Sequence, residues 1–398
     1  MKIGIVTYVK TVTCNYGAEL QSFALQYILN KHGYDAEVID LKRKLPSHDK
    51  FIETVKKAVV IRFKKLSFGG ACKSICQLFF SVYMDRKYAK KYQYNICKKK
   101  ALFNDFFYSQ IKHSDKEYNL EDLDSETLDY DTYIAGSDQI WNYKNSDRVD
   151  VFFLMFSNRF NAKKISYAAS FSVSSIPMEY QSDYRKWINN IEYLSVREYE
   201  GVSIVREITG RNAKLVCDPT LLISSEEWLN VFDSQMIVPQ VCGKYVVIYS
   251  MSRSSRVFDI ARSIAHKLGD IKIYNIKLNF TRSKEIGIEQ LEFLSPHQWV
   301  WLIANAEYVV TDSFHGTAFS VNFNKMFTVV QNPLSDLNSR VNTILSKLNL
   351  KDRILINDGK HQFNLELNID YKRINKELEV WREDSWNFLV DSLQTKEI

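Results

Sequence analysis

Apolar residues in this chain fall in short runs separated by longer stretches of helical spacing, and the alternation holds over most of its length. Residues 2–8 read as a strand and 17–31 as a helix, with Gln21, Leu25 and Leu29 recurring one turn apart. Strand-like runs follow at 36–40, 132–135, 164–169, 193–196 and 214–217, with a helical pattern over 199–209. A second series begins after 233–244, DSQMIVPQVCGK, whose Pro, Gly and polar residues mark a linker. It holds expected strands at 245–249, 271–275, 308–311 and 326–330, and helices near 255–268, 296–305 and from Thr317. Strands alternating with helices predict parallel sheets covered on both faces. The expected fold is therefore α/β, with two doubly wound Rossmann-like domains facing a cleft, since open sheets bind ligands beyond the carboxyl ends of their strands.

At 398 residues the chain exceeds the roughly 250–300 at which a single core stops growing, which also favours two domains. The expected divisions are 1–232, taking the acceptor, and 243–370, taking the donor. Leu378, Trp381, Trp386, Leu389 and Leu393 then line one face of a C-terminal helix within 371–398 that packs across both. A hydrophobic content of 45% with 25% charged residues is ordinary for a globular chain and excludes a disordered one. The opening MKIGIVTYVK has no basic stretch followed by a long apolar one, and no 18-residue uncharged apolar run occurs, so a cytoplasmic protein is expected. Six cysteines without a CxxC pair suit a reducing compartment. Cys72 and Cys76 would share a helix face, but no flanking ligand completes a metal set, and no metal or cofactor is expected.

The net charge of +6 hides a patch. Residues 50–100 hold fourteen Lys and Arg against Glu53 and Asp85, a local +12. Apolar residues are interleaved with the cations, which suits either a helical insertion with a solvated lysine face or a surface that docks on an anionic membrane. The second alternative would seat the protein peripherally on the inner face of the plasma membrane. No nucleic-acid module pattern accompanies the patch, so nucleic acid is not an expected partner.

Four segments carry candidate chemistry. In YVVTDSFHGTAFS, 308–320, a strand stops at Asp312, and Ser313, His315, Gly316 and Thr317 open a helix. A helix N-terminus offers unpaired N–H groups to an anion, although a capping turn with a satisfied histidine would read the same way. After the first strand, Asn15, Tyr16, Gly17 and Gln21 form a glycine turn into a helix without the spacing of a nucleotide-binding loop. DTYIAGSDQIWN, 131–142, supplies Gly136, Ser137, Asp138, Gln139, Trp141 and Asn142 at the end of a strand. That inventory suits a sugar, whose hydroxyls take bidentate partners and whose apolar face takes a ring; a core tryptophan is the alternative. In SVRE and CDPT, Arg197 offers a planar fork for a carboxylate or phosphate, or simply pairs with an acid, and Asp218-Pro219 stops a strand.

Taken in order, NYGAELQSFALQ, AGSDQIWN, ISYAASF, SVRE, CDPT and DSFHGTAFS resemble the polysaccharide pyruvyl transferase family, from about Val6 to Leu350. The resemblance implies a two-domain, glycosyltransferase-B-like enzyme that uses phosphoenolpyruvate as donor to place a pyruvate ketal on a sugar of a surface polysaccharide. The acceptor would be a lipid-linked or nucleotide-linked glycan. The resemblance also implies that Arg197 and His315 hold or activate the donor. The chemistry then needs a proton carrier, for which His315, Asp312 and Asp138 are the candidates. Many members carry arginine two residues before that histidine, whereas this chain has Ser313. Arg340 or Arg253 would then have to supply the missing cation. Two other functions compete: sugar transfer from a nucleotide sugar on the same architecture, and a catalytically silent glycan-binding scaffold.

Overall fold

The computed structural model describes residues 1–10, 14–42, 92–120, 123–125, 128–146, 148–156, 162–232, 236–252, 254–278, 285–332, 338–357 and 368–395. Most of the basic segment, with Cys72, Cys76 and Arg253, lies outside them.

In the first half, β1 (Lys2–Val6), α1 (Tyr16–Lys31), β2 (Asp35–Val38), β3 (Leu41–Lys42), α2 (Gln93–Gln110), β4 (Tyr118–Asn119), β5 (Thr132–Ala135) and β6 (Lys163–Ser166) lead to α3 (Met178–Asn189). There follow β7 (Ser195–Val196), α4 (Tyr199–Thr209), β8 (Lys214–Leu215), α5 (Pro219–Leu222) and α6 (Ser225–Phe232). The second half runs β9 (Tyr245–Tyr249), α7 (Ser255–Lys267), β10 (Lys272–Ile276), β11 (Glu289–Leu291), α8 (Pro296–Asn305), β12 (Tyr308–Thr311) and α9 (Phe314–Asn322). It closes with β13 (Met326–Gln331), α10 (Asn338–Lys347), β14 (Ile354–Ile356) and α11 (Tyr371–Gln394).

Two parallel sheets result. The first has the order β2-β1-β5-β6, and isolated bridges from Ile165 to Tyr193 and Ala169 to Val196 set β7 beside β6. The second has the order β11-β10-β9-β12-β13-β14. In each sheet the chain starts near the middle and works outward both ways, so the order reverses between β1 and β5, and again between β9 and β12. Such reversals leave a crevice at the carboxyl ends of the two central strands. Residues 14–17 and 136–142 follow β1 and β5; residues 250–254 and 312–317 follow β9 and β12. Every strongly polar motif of the sequence therefore lies at one of the two reversals or, for Arg197 and Asp218, just beyond the β7–β8 pair.

The strands hold their places because parallel strands are covered on both faces, and YVVIY of β9 and YVVT of β12 are buried throughout. The largest core lies between the sheets, where Leu20 and Leu25 of α1 join Trp299, Phe319 and the α11 residues Leu378, Trp381 and Leu389. α11 is tied to both halves: Lys163 Nζ donates to Leu393 O at 2.9 Å, and Arg382 donates to Asn322 Oδ1 at 2.7 Å.

Two expectations change. α9 begins at Phe314 and not at Thr317, because Ser313 accepts from Gly316 N and so caps the helix three residues earlier. Lys99, one of the basic segment's cations, is no surface lysine: its Nζ donates to Lys277 O at 2.8 Å from α2. No helix among the described residues is long and apolar enough to cross a membrane.

Candidate functional site

β5 delivers its polar cluster through a backbone that only glycine permits. Gly136 has φ +140°, and a Cβ there would lie 1.9 Å from Tyr167 O. Beyond it, Ser137 N donates to Gln21 Oε1 at 2.9 Å and Thr7 Oγ1 donates to Ser137 O at 2.9 Å, so α1 and the β1 end hold this turn. Asp138 follows with φ +75°, its carboxylate in the protein interior.

Arg197, at the end of β7, gathers these groups. Its Nη1 donates to Asp218 Oδ2 at 2.5 Å and to Ser137 Oγ at 3.2 Å, and its Nη2 donates to Asp138 Oδ1 at 3.1 Å. Asp218 caps α5 with its other oxygen, accepting from Thr220 N at 3.1 Å and Thr220 Oγ1 at 2.8 Å. The guanidinium is 1% exposed and its carbon lies 4.6 Å from the centroid of the Phe314 ring. Burial alone would lower its pKa, but Asp218 and Asp138 raise it. Burial likewise works to raise Asp138 and Asp218, and the Arg197 charge holds both below the usual carboxylate range.

From the second half comes Phe314-His315 at the start of α9, together with Arg340 of α10. Arg340 lies 5.8 Å from the same Phe314 ring, and with the Gln139 amide oxygen turned toward it both terminal nitrogens donate there, at 3.1 and 3.0 Å. Among the described residues no carboxylate pairs with it directly, and burial followed by repulsion from Arg197 brings it down to about 10. The His315 Nε2 lies 4.0 Å from Asp218 Oδ1. Burial pushes the imidazole down to about 4, so it is neutral at physiological pH. Its ring stands against the N-terminus of α1, where a Cβ on Gly17 would come within 1.9 Å of Nδ1. Asn15 caps that helix by accepting from Gly17 N at 3.1 Å. Three nitrogens in this cluster, Arg197 Nε, Arg340 Nε and His315 Nε2, are buried without a hydrogen-bond partner.

Arg197, Asp138, Asp218, Ser137, Gln139, His315 and Arg340 are thus brought together, with Gly17 and Gly136 shaping their seats. Gln21 braces: its Nε2 donates to Thr7 Oγ1 and to Ala18 O, both at 2.9 Å. Thr317 and Ser313 belong to the cap, Thr317 Oγ1 donating to Ser313 O at 2.9 Å. Gly316 packs a missing Cβ against Thr311 Oγ1.

Other candidates lie elsewhere. Trp141 is 0% exposed, stacks on Phe153 and donates from Nε1 to Phe152 O at 2.9 Å, so it fills the core and offers no face to a sugar. Tyr16 is likewise interior, stacked against Trp299 with its hydroxyl donating to Leu294 O at 3.2 Å. Asn142 accepts from Lys144 N in a turn. Asp312 anchors the loop after β9, accepting from Ser250 Oγ, Met251 N and Ser252 N at 2.7, 2.6 and 2.8 Å, which leaves it poorly placed to move protons in the cluster. His315 itself is 4% exposed, closed over by α1, and does not stand open at a helix mouth.

Sequence reasoning overlooked Phe314, the ring against which both guanidinium groups lie, and Glu198. The Glu198 Oε1 accepts from Phe171 N at 2.8 Å, Ser170 Oγ at 3.0 Å and Ser172 N at 3.2 Å, while burial raises its pKa. The signal was present in the acid next to Arg197 and in the small residues of ISYAASF. Among the described residues no group of three or more His, Cys, Asp or Glu is placed to hold a metal ion.

A model of the family described as polysaccharide pyruvyl transferase matches residues 15–333. No curated protein matches the sequence. Among solved structures, a putative UDP-N-acetylglucosamine 2-epimerase from Listeria monocytogenes superposes with a TM-score of 0.51 at 8% identity, covering 100% of this chain and 97% of that one. The UDP-GlcNAc 2-epimerase from Methanocaldococcus jannaschii gives 0.51 at 10% identity, covering 96% and 93%. At such identities the likeness carries the fold alone, which is glycosyltransferase-B-like with two parallel sheets.

Proposed function

The chain belongs to the polysaccharide pyruvyl transferase family, and from that premise we propose that it moves pyruvate from phosphoenolpyruvate onto a sugar of a surface polysaccharide precursor as a ketal. The acceptor is a glycan carried on a lipid or a nucleotide, and the reaction runs at the cytoplasmic face of the membrane. Ketal formation asks for cations opposite a carboxylate and a phosphate, an acid for the methylene carbon and a base for two hydroxyls.

One observation carries this reading. Arg197, Arg340 and His315 converge around Phe314, each with a buried nitrogen that has no partner among the described residues. Unpaired buried polar groups are costly, so three in one cluster mark a place where a polar ligand completes the bonding. Arg340 is then the cation that Ser313 does not supply, while Ser313 keeps the capping role at α9. The first turn of α9 adds N–H donors to the anion. Because these groups are covered, the donor enters when the contact between the N-termini of α1 and α9 opens.

The test is incubation of the protein with phosphoenolpyruvate and a lipid-linked glycan pool. Release of inorganic phosphate together with a product mass gain matching pyruvate is expected. Turnover of a nucleotide sugar, with release of a nucleoside phosphate and no use of phosphoenolpyruvate, would replace this reading with sugar transfer.

A further inference from the structure

The buried cluster is electrically balanced before any ligand arrives. Arg197 faces Asp138 and Asp218 in direct ion pairs, and Arg340 completes two cations against two carboxylates. Glu198, beside both arginines, is biased by burial toward its neutral form. A phosphomonoester near neutrality carries most of two negative charges, and a donor with a carboxylate adds another. Placing such an anion in a balanced, water-poor cluster is unfavourable unless positive charge enters with it.

His315 is the group positioned to receive that charge. Its Nε2 has no hydrogen-bond partner among the described residues and sits 4.0 Å from Asp218 Oδ1. The charged groups that face it are Asp218 from the turn before α5, Asp138 from the turn after β5, Arg197 from β7 and Arg340 from α10. α1 presents the uncharged Gly17 to the ring; its one buried acid, Glu19, acts on Cys14. Tyr249 of β9 is kept un-ionised by burial, and Asp312 is occupied by the 250–252 loop.

Resting on the pyruvyl transfer reading above, we infer that phosphoenolpyruvate binds with uptake of a proton onto His315 Nε2, so that the ligand loads the acid its own reaction needs. In the free protein burial holds the imidazole neutral, down to about 4. The bound anion favours the protonated form and raises that value, so binding draws in a proton from solvent.

The chemistry then balances on one imidazole. The imidazolium gives its proton to the methylene carbon as the double bond's electron pair takes it up. The neighbouring carbon bonds to the first sugar oxygen, and that hydroxyl's proton returns to the imidazole. In the second stage the carbon–phosphate oxygen bond breaks and the phosphate departs with the imidazolium proton. The second hydroxyl oxygen closes the ketal and its proton again returns to His315. No proton is consumed overall, and the one taken up on binding leaves with product release.

The test is calorimetric titration with phosphoenolpyruvate alone, without acceptor, in two buffers of different ionisation enthalpy. The wild-type protein is expected to take up about one proton per donor bound, with affinity falling about tenfold per pH unit above about pH 7, where the free donor no longer titrates. His315→Asn, shown to be folded by its thermal melt, should bind without proton uptake and with a flat pH dependence. Wild-type binding without uptake, or uptake preserved in His315→Asn, would overturn the inference; should the variant fail to fold, the wild-type pH slope decides it alone. If the folded wild-type protein does not bind phosphoenolpyruvate at all, the donor assignment itself fails, a different result from binding without a proton.

Discussion

Arg197 and Arg340 lie against one aromatic ring yet answer to opposite surroundings. Arg197 is engaged by two carboxylates and a hydroxyl, and its charge is held above the ordinary guanidinium range. Arg340 donates to the Gln139 amide, its one hydrogen-bond partner among the described residues, and is pushed down to about 10 by burial and by Arg197. On the first sheet's half the charges are engaged in ion pairs with only Arg197 Nε left over, whereas α9 and α10 contribute His315 and Arg340, which meet no carboxylate at hydrogen-bond distance among the described residues. A saturated buried ion pair is costly to break and adds little to ligand affinity, while an unsaturated cation is a strained group that a ligand relieves. The first half thus reads as a frame and the second as the part that grips.

Arg197→Ala is the most severe way to test that division. It strands Asp138 and Asp218 in the interior and should cost about 3–5 kcal/mol of stability, read as a large drop in melting temperature or loss of soluble protein. Arg197→Ala melting no lower than Arg340→Ala would break the comparison. Gly17→Ala comes next. Its Cβ would press into the His315 ring, at about 1–3 kcal/mol for the overpacking. Turnover should fall by more than ~100-fold if His315 moves protons. A folded Gly17→Ala protein with ordinary turnover would return His315 to a capping role.

Arg340→Ala orphans no carboxylate, so its thermal stability should change less than that of Arg197→Ala. Its expected mark is a rise in the Michaelis constant for phosphoenolpyruvate of about tenfold or more, with the acceptor constant little moved, as for loss of one charge-assisted hydrogen bond. Equal effects on both substrates would sharpen the picture differently, making Arg340 a strut between the halves. Trp141→Phe is the mildest. It removes the bond to Phe152 O and should cost about 1 kcal/mol in a denaturant melt, without altering the acceptor constant. A raised acceptor constant would bring Trp141 back as a sugar platform.

Much of this was legible from local pattern. β5, β9, β12, α4 and α8 have the bounds that periodicity predicts, because a fully buried strand and an amphipathic helix write their periods into adjacent residues. The helix Met178–Asn189 and the edge strands Glu289–Leu291 and Ile354–Ile356 escaped notice, being short or interrupted by polar residues that only neighbours make acceptable. Trp141 reads from sequence equally as a ligand platform and as a core residue, because aromatic and polar residues side by side look alike in a sugar site and in a turn packed over a core. Asp312 stands among the sequence's candidates for moving protons because nothing near it in sequence shows the 250–252 loop that occupies its oxygens.

The sequence by itself determined the alternation of strands and helices, the two series that become two parallel sheets, and the order of motifs that carries family membership. These depend on residues within a few positions of one another, where spacing and turn chemistry act directly. Tertiary structure alone decided that Arg197 meets two carboxylates and Arg340 an amide, that His315 is buried and neutral, and that Gly17 makes room for a ring 298 residues further along the chain. Charge state, burial and the presence of a partner are properties of what surrounds a group in space, and neighbours brought from distant segments leave no mark on the local pattern.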